Sequence, residues 1–311
     1  MLTLPSYVII TPARNEGQYI ELTIKSVVAQ TARPLRWVIV SDGSTDETDN
    51  IVGRSAAQHP WIELLRMPER RERHFAGKVQ AFNAGLARVA GSSFDVLVNL
   101  DGDISFEEGY FSFLLQKLAE DPGLGLVSGR LVDAGSNQDC YDYKYTGIEH
   151  VSGACQVFRR DCFEAIGGYR PIKTGGIDLL AVLSARAKGW RTRTFAEKAY
   201  LHHRPMGAAH REGLRERLYT GRKDYLLGSH PLWELFRSIY QMTKRPFVIG
   251  GACIFLGYCW MFLRGAERTI PEDLIGFRRK EQIQRLRHTL RLLPRTNVTP
   301  ALPDGYSAPR N

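Results

Sequence analysis

The sequence predicts an α/β protein: a doubly wound, mainly parallel sheet flanked by helices, with a helical C-terminal extension. Three observations carry that expectation. Short apolar runs recur at residues 7–11, 37–40, 62–66 and 94–100, and segments with helical spacing lie between them, near 17–30 and over 77–89. The runs are nearly continuous in apolar residues rather than alternating, as strands buried on both faces require. Strand–helix alternation at this rhythm favours parallel pairing through right-handed crossovers.

Taken in order, Tyr7–Thr11 reads as the first strand and Pro12 to Gly17 as the loop after it. Ile20, Ile24, Val27 and Val28 then recur on one helical face. The second strand, Trp37–Val40, runs into Ser41–Thr48, where Ser44 or Thr45 is expected to cap the next helix with acids in its first turn. Residues 62–66 form the third strand, and Ala81, Leu86 and Ala87 mark the helix over 77–89. The fourth strand, with Val96, Leu97, Val98 and Leu100, ends on Asp101-Gly102-Asp103.

That tripeptide is the main candidate for chemistry. Ligands of open α/β sheets gather at the carboxyl ends of strands. Two carboxylates there, with a glycine between them that lets a ligand approach, suit a hard cation that bridges to a diphosphate. A solvated acidic turn is the plainer reading of the same residues. The loops after strands one, two and four open on one sheet edge, so Asn15, Glu16, Asp42, Asp101 and Asp103 are expected to meet there. No Gly-x-Gly-x-x-Gly follows the first strand and no Gly-x-x-x-x-Gly-Lys-Ser/Thr occurs, which argues against dinucleotide and P-loop sites.

Composition narrows the class further. At 311 residues and 43% apolar content the chain can bury a large core. Its five cysteines are odd in number and lack Cys-x-x-Cys spacing, so neither a disulfide framework nor a zinc site is expected, and a reducing compartment fits. The first strand begins too early for a signal peptide. Residues 201–311 hold 19 Lys and Arg against 9 Asp and Glu, an excess of ten, while the whole chain carries +9. All excess basicity therefore lies in the last third, where it suits acidic head groups or a phosphorylated substrate. No nucleic-acid motif accompanies it.

Several stretches together resemble the inverting glycosyltransferases of family 2, with the GT-A nucleotide-sugar fold. They are Thr11–Glu16, Val38–Asp46, Gly77-Lys78 through Leu86, Asp101–Asp103, Gly153 through Phe163, Gly167–Tyr169, and Asp178 through Trp190. They keep the family's order over about residues 5–200. The resemblance implies that Asp42 bonds the base of a nucleotide, usually uracil, with Pro12, Asn15 and Glu16 in the same base and ribose pocket. It further implies that Lys78 belongs to the nucleotide site and that Asp103 ligates Mn²⁺ or Mg²⁺. Asp101 would then lie nearer the ribose and a metal-bound water. Asp178 aligns with the aspartate of a Glu-Asp pair, the usual catalytic base. Ser41 stands where an acid is common, and Ile177 where the glutamate is expected, leaving one carboxylate. Read without the family, Asp178 is first an ordinary acid in the first turn of a helix, and the ordered motifs reverse that reading.

The rest of the chain divides into a basic helical acceptor or diphosphate region over 201–245, an apolar helix plus a basic amphipathic helix over 246–295, and a loose tail over 296–311. His202 or His203 is a candidate further metal ligand, and a structural pair of histidines is the alternative. Arg204, Arg211, Arg215, Arg217, Arg222 and Lys223 suit either a diphosphate clamp or a solvated helix face. Phe247–Leu263 is uncharged and at the lower limit for a bilayer span. A single span would place the basic tail opposite the cytoplasmic domain, against the positive-inside tendency. A buried, re-entrant or interfacial helix is therefore expected, or a plain core helix, with Gly250, Gly251 and Gly257 permitting close helix approach.

The expected function is single transfer of a sugar from a nucleotide-sugar, a UDP-sugar, to a hydroxyl of a lipid-linked or polysaccharide precursor. The expected location is cytoplasmic, at the inner face of the cell membrane. No Gln/Arg-x-x-Arg-Trp signature of processive synthases follows Asp178. Two other classes fit less of the sequence: a nucleotidyltransferase on a similar sheet, which wants a basic glycine-rich loop after strand one, and a non-catalytic nucleotide-sugar-binding protein.

Overall fold

A computed structural model describes residues 3–69, 75–172, 174–204 and 213–290. The candidate residue Arg211 and the tail 296–311 lie outside them. The described chain forms two compact units. One takes residues up to 172 together with 177–204; the other takes 174–176 and everything from 213 to 290.

The first unit begins β1 (Tyr7–Ala13), α1 (Ile20–Val28), β2 (Arg36–Asp42), α2 (Thr48–Gln58), β3 (Ile62–Met67), α3 (Phe75–Val89) and β4 (Val96–Leu100). It continues with β5 (Ile104–Phe106), α4 (Tyr110–Glu120), β6 (Leu124–Asp133), α5 (Tyr143–Thr146), β7 (Cys155–Arg159), α6 (Arg160–Ala165), α7 (Ile177–Ala187) and β8 (Arg191–His202). The eight strands lie in the order β3-β2-β1-β4-β7-β6-β8-β5. The first four are parallel to one another, as are β6 and β8, while β7 runs antiparallel to β4 and β6, and β5 antiparallel to β8. The α/β class and the mostly parallel sheet are thus as the sequence predicts.

The continuous apolar runs are explained by burial on both sides. Ile9, Trp37, Ile39, Val96 and Val98 face one core with Ile20 and Ile24 of α1 and Leu114 of α4. Their neighbours Val8, Ile10, Val38, Val40 and Leu97 face a second core with Phe82 of α3, Phe163 of α6 and Val182 of α7. Ile177 packs against this second core.

One capping expectation fails. Helix α2 starts at Thr48, with no side-chain bond at its N-cap. Ser44 and Thr45 bond across to the loop after β1 instead: the Asn15 N–H donates to Ser44 Oγ at 3.1 Å, and the Thr45 N–H donates to Asn15 Oδ1 at 2.8 Å. Asn15 itself adopts φ 55°, a left-handed conformation that asparagine tolerates better than most residues. Asp46 completes the staple, accepting from the Gly17 N–H at 2.8 Å and the Thr48 N–H at 3.0 Å. Short polar side chains between two neighbouring loops are worth more as cross-ties than as caps, because both loops would otherwise leave donors unpaired.

The second unit holds α8 (Leu214–Leu226), α9 (Pro231–Met242), α10 (Ile249–Leu263) and α11 (Glu272–Thr289). A Cβ placed on Gly221 would lie 1.8 Å from the Ile254 carbonyl oxygen, and one on Gly257 would lie 2.1 Å from that of Leu218, so α8 and α10 touch backbone to backbone. Gly251 does the same against Ser238 of α9 at 2.1 Å, whereas Gly250 faces side chains, the ring of Pro246 and the guanidinium of Arg217. Among the described residues no helix is long and apolar enough to cross a membrane. None of the five cysteines is paired.

The α8–α9 turn is the polar centre of this unit. Ser229 accepts from Gln282 of α11 at 3.0 Å, its carbonyl takes the Tyr258 hydroxyl at 2.8 Å, and the Leu227 carbonyl takes Arg278. Glu234 is fully buried there, and burial pushes its carboxyl up to about 7 against the pull of Arg278 and the Ser229 hydroxyl. Its ordinary value is 4.5. The folded protein therefore holds this proton more tightly than the unfolded chain between those values. Stability from this group is fully present below pH 4.5 and is lost as pH rises through 7. The loss amounts to about 3 kcal/mol. Urea unfolding of Glu234→Gln is expected to show a flatter pH dependence across this window than the parent. An unchanged slope would remove Glu234 as its source.

Candidate active site

The strand order reverses at β1, which lies between β2 and β4. Such a switch point leaves a crevice beyond the carboxyl ends of the strands. Around it stand the loop after β1, the end of β2 and the end of β4. Pro12 sits within β1 paired with Val40, and Asp42 closes β2, almost wholly buried. Glu16 is tied to the α2 start through its N–H on Thr48 Oγ1 at 2.8 Å.

The pairing of β5 with β8 brings in residues a hundred positions away. Ile104 lies opposite His202, and the His203 N–H donates to the Asp103 carbonyl at 2.9 Å. This register points His202 at Asp103, with Nε2 3.5 Å from Oδ1. His203 turns elsewhere: its Nε2 is 2.8 Å from Ser105 Oγ, and its ring stacks on Tyr19 at 6.2 Å. The two candidate histidines are therefore separated by the alternation of the strand end. Arg204 follows, pairing with Glu16 and reaching Asp103 Oδ2 at 3.4 Å.

Gly102 does not leave room for a ligand, as its place between two acids suggests. A Cβ there would lie 2.9 Å from Ile20 Cδ1 and 3.3 Å from Glu16 Cγ, so the glycine lets α1 and the Glu16 stem pack against the turn. Glu16 is in turn engaged by Arg204. Of the described members of the basic set, Arg204 is the one in the first unit, where it joins this cluster. Arg215, Arg217, Arg222 and Lys223 belong to α8, where Arg217 donates to Gln241 at 2.9 Å.

Lys78, in the first turns of α3, lies among the carboxylates. Its ammonium is 2.5 Å from Asp101 Oδ1 and 3.5 Å from the Gly153 carbonyl, which also accepts from Asn99 at 3.0 Å. Gly153 has no side chain because Asp178 occupies the space: a Cβ would lie 2.7 Å from Asp178 Cβ and 3.1 Å from its Oδ2. Thus the Asp178 carboxylate, half-buried in the first turn of α7, faces the same cluster as Asp101. Burial would lower the Lys78 pKa, but Asp101, with Asp178 and Asp103 behind it, holds it above the ordinary lysine value. Burial alone would likewise raise Asp103, yet His202 and Arg204 hold its carboxyl below the usual range.

The donor set fits a hard cation shared with a diphosphate. Asp103 Oδ1 is buried and has no hydrogen-bond partner, and His202 Nε2 is the neighbouring nitrogen. Among the described residues no three His, Cys, Asp or Glu side chains form a cage by themselves. A Mg²⁺-like ion needs only one or two carboxylates when phosphate oxygens and water complete its shell.

Sequence reasoning missed Asn99, which braces the Gly153 carbonyl, and the Glu16–Arg204 pair. A polar residue inside an otherwise apolar buried strand is the signal that could have found Asn99. Nothing local marks the pair, whose members are 188 residues apart.

The mostly parallel sheet between its helical layers is the GT-A fold. The sequence pattern of Glycosyl transferase family 2 matches residues 8–167, and the chain belongs to that family. A poly-beta-1,6-N-acetyl-D-glucosamine synthase of Staphylococcus aureus is 28% identical over 115 residues, 37% of this chain and 26% of the relative. A probable glycosyltransferase, YdaM, of Bacillus subtilis is 26% identical over 190 residues, 54% of this chain and 44% of the relative. The chain thus spans less than half the length of either. Among solved structures, S. aureus TarS 1–349 in complex with UDP-GlcNAc matches at a TM-score of 0.54 and 13% identity, over 85% of this chain and 74% of that one. Mannosyltransferase PcManGT from Pyrobaculum calidifontis, in complex with GDP-Man and Mn²⁺, matches at 0.54 and 18%, over 94% and 81%. At these identities the structures speak for the fold alone.

Proposed function

We propose that the protein moves a single sugar from a nucleotide-sugar donor, a UDP-sugar, to a hydroxyl of a lipid-linked or polysaccharide precursor, inverting the anomeric carbon. The observation that carries this reading is the convergence of Asp101, Asp103 and Asp178 around Lys78 at the sheet's switch point. Asp42, Pro12 and Asn15 line the side that takes the base and ribose, and Glu16 orients Arg204. Asp103, with His202 beside it, would hold Mn²⁺ or Mg²⁺, and Asp101 and Lys78 would border the ribose and diphosphate. When bound, the ion neutralises charge on the departing diphosphate. Asp178 takes the proton of the acceptor hydroxyl as its oxygen bonds to the anomeric carbon and the bond to the diphosphate oxygen breaks on the opposite face. One carboxylate suffices, because the leaving group departs as an anion and needs no acid. A relative named as a poly-beta-1,6-N-acetyl-D-glucosamine synthase supports a saccharide acceptor, and the basic last third of the chain supports a reaction at the inner face of a cell membrane.

The test is a panel of UDP- and GDP-sugars incubated with the full chain, Mn²⁺ or Mg²⁺, and membrane lipid extract, read by mass spectrometry. Release of nucleoside diphosphate from one donor, stopped by EDTA, is expected. Silence across the panel would overturn the proposal, and pyrophosphate release from a nucleoside triphosphate would assign a nucleotidyltransferase.

A further inference from the structure

Helix α9 turns a stripe of apolar side chains to water while burying Trp233 with two polar ones. Leu232, Leu235 and Ile239 form one stripe by their spacing, and they are 57%, 42% and 54% exposed. Glu234 and Ser238, on the other side, are buried. The following turn exposes Phe247 and Val248, and α10 continues with Ile249, Leu256, Trp260 and Leu263, the last 81% exposed. Among the described residues, ten of the eighteen large apolar side chains left exposed fall between residues 232 and 263. Concentration on this scale marks a surface that is covered in use.

Charge says by what. From Leu235 to Ala266 the chain holds Arg237, Lys244, Arg245 and Arg264 and no acidic residue. Two of these cations lie over aromatic rings of these helices, and Arg245 is exposed two residues before Phe247. Lys244 Nζ lies 5.1 Å from the Tyr240 ring centre, and the Arg264 guanidinium lies 4.3 Å from that of Trp260. Aromatic rings with cations beside them, around an apolar face, suit the boundary between acyl chains and head groups. A second copy on the same face would oppose like charges across a two-fold axis. The fifteen residues of α10 are too few to cross the hydrocarbon layer.

We infer that α9, α10 and the turn between them form an in-plane docking surface for a bilayer rich in anionic lipid, the apolar stripes entering the acyl boundary and Lys244, Arg245 and Arg264 meeting the head groups. This extends the membrane placement proposed above. Its test reads lipid binding without turnover, so either reading can fail alone.

The experiment is flotation of the full chain with vesicles of phosphatidylcholine alone or mixed equally with phosphatidylglycerol, at low and high salt. Binding to the mixed vesicles is expected, at least tenfold tighter than to the neutral ones and weakened by salt. The pairs Leu235→Glu with Ile239→Glu, and Leu256→Glu with Leu263→Glu, are each expected to lower binding at least tenfold. The triple variant Lys244→Gln, Arg245→Gln, Arg264→Gln is expected to lower binding to the mixed vesicles on the order of a hundredfold at low salt. All the altered apolar side chains are exposed, so melting curves should match the parent and certify the fold. Failure of the parent to float, equal binding to neutral vesicles, or variants that bind like the parent would each overturn the inference. A concentration-dependent dimer lost in the apolar pairs, without vesicle binding, would overturn it in favour of a second copy.

Discussion

Asp103→Ala is expected to lower sugar transfer by at least about 10³-fold, the scale on which removal of one preorganised charge from a reacting centre is felt. Asp103 is the buried carboxylate whose Oδ1 has no hydrogen-bond partner and whose other oxygen faces Arg204. Without it, His202 loses its nearest carboxylate and keeps Asp101 acting on it through space, and on the proposed reading the leaving diphosphate loses its counter-ion site. The substitution also leaves Arg204 paired with Glu16 without its second carboxylate, so Asp103→Asn serves as the variant that keeps the shape of the turn. Calorimetry of nucleoside diphosphate binding with and without Mn²⁺ separates the two effects. In both variants the metal-dependent part of binding should vanish while the melting curve of the asparagine form stays close to the parent's. Transfer at the parental rate by Asp103→Asn would sink the assignment.

Asp178→Asn should produce a different pattern. A positioned general base contributes about 10²–10⁴-fold, and kcat is expected to fall by that factor. The donor KM should stay within a few-fold, because the base acts on the acceptor proton and not on the nucleotide. Asparagine keeps the contact that Asp178 makes against Gly153, so the α7 start should hold its place. Ile177, packed into the core, offers no second carboxylate to take over. A parental kcat in this variant, with donor binding intact, would move the protein toward the non-catalytic nucleotide-binding class.

The contrast between the two variants depends on how the cleft is assembled, and that assembly was only half legible in the sequence. The loops after β1, β2 and β4 could be placed on one edge because parallel strands joined by crossovers must end together. Asp42, Asp101 and Asp103 follow from that rule alone. His202 and His203 could not be told apart, since their choice depends on the register of β5 on β8, a pairing of two segments with no local signature. Gly102 was misread for a related reason. A glycine shows that something comes close, and only the fold shows that the close neighbours are Ile20 and Glu16. Ser44 and Thr45 had the chemistry of caps, but a hydroxyl bonds whichever donor is unpaired nearby, and that donor was on the loop after β1.

The amino-acid sequence by itself determined the α/β class and the mostly parallel sheet, because strands buried on both faces must be apolar throughout and helices must show their period; the family showed in the order of its motifs between Thr11 and Trp190. The tertiary structure alone decided which distant charges share a cleft and which face of α9 is turned outward. Those outcomes are settled by register and by packing between elements, and neither leaves a period or a spacing in the chain.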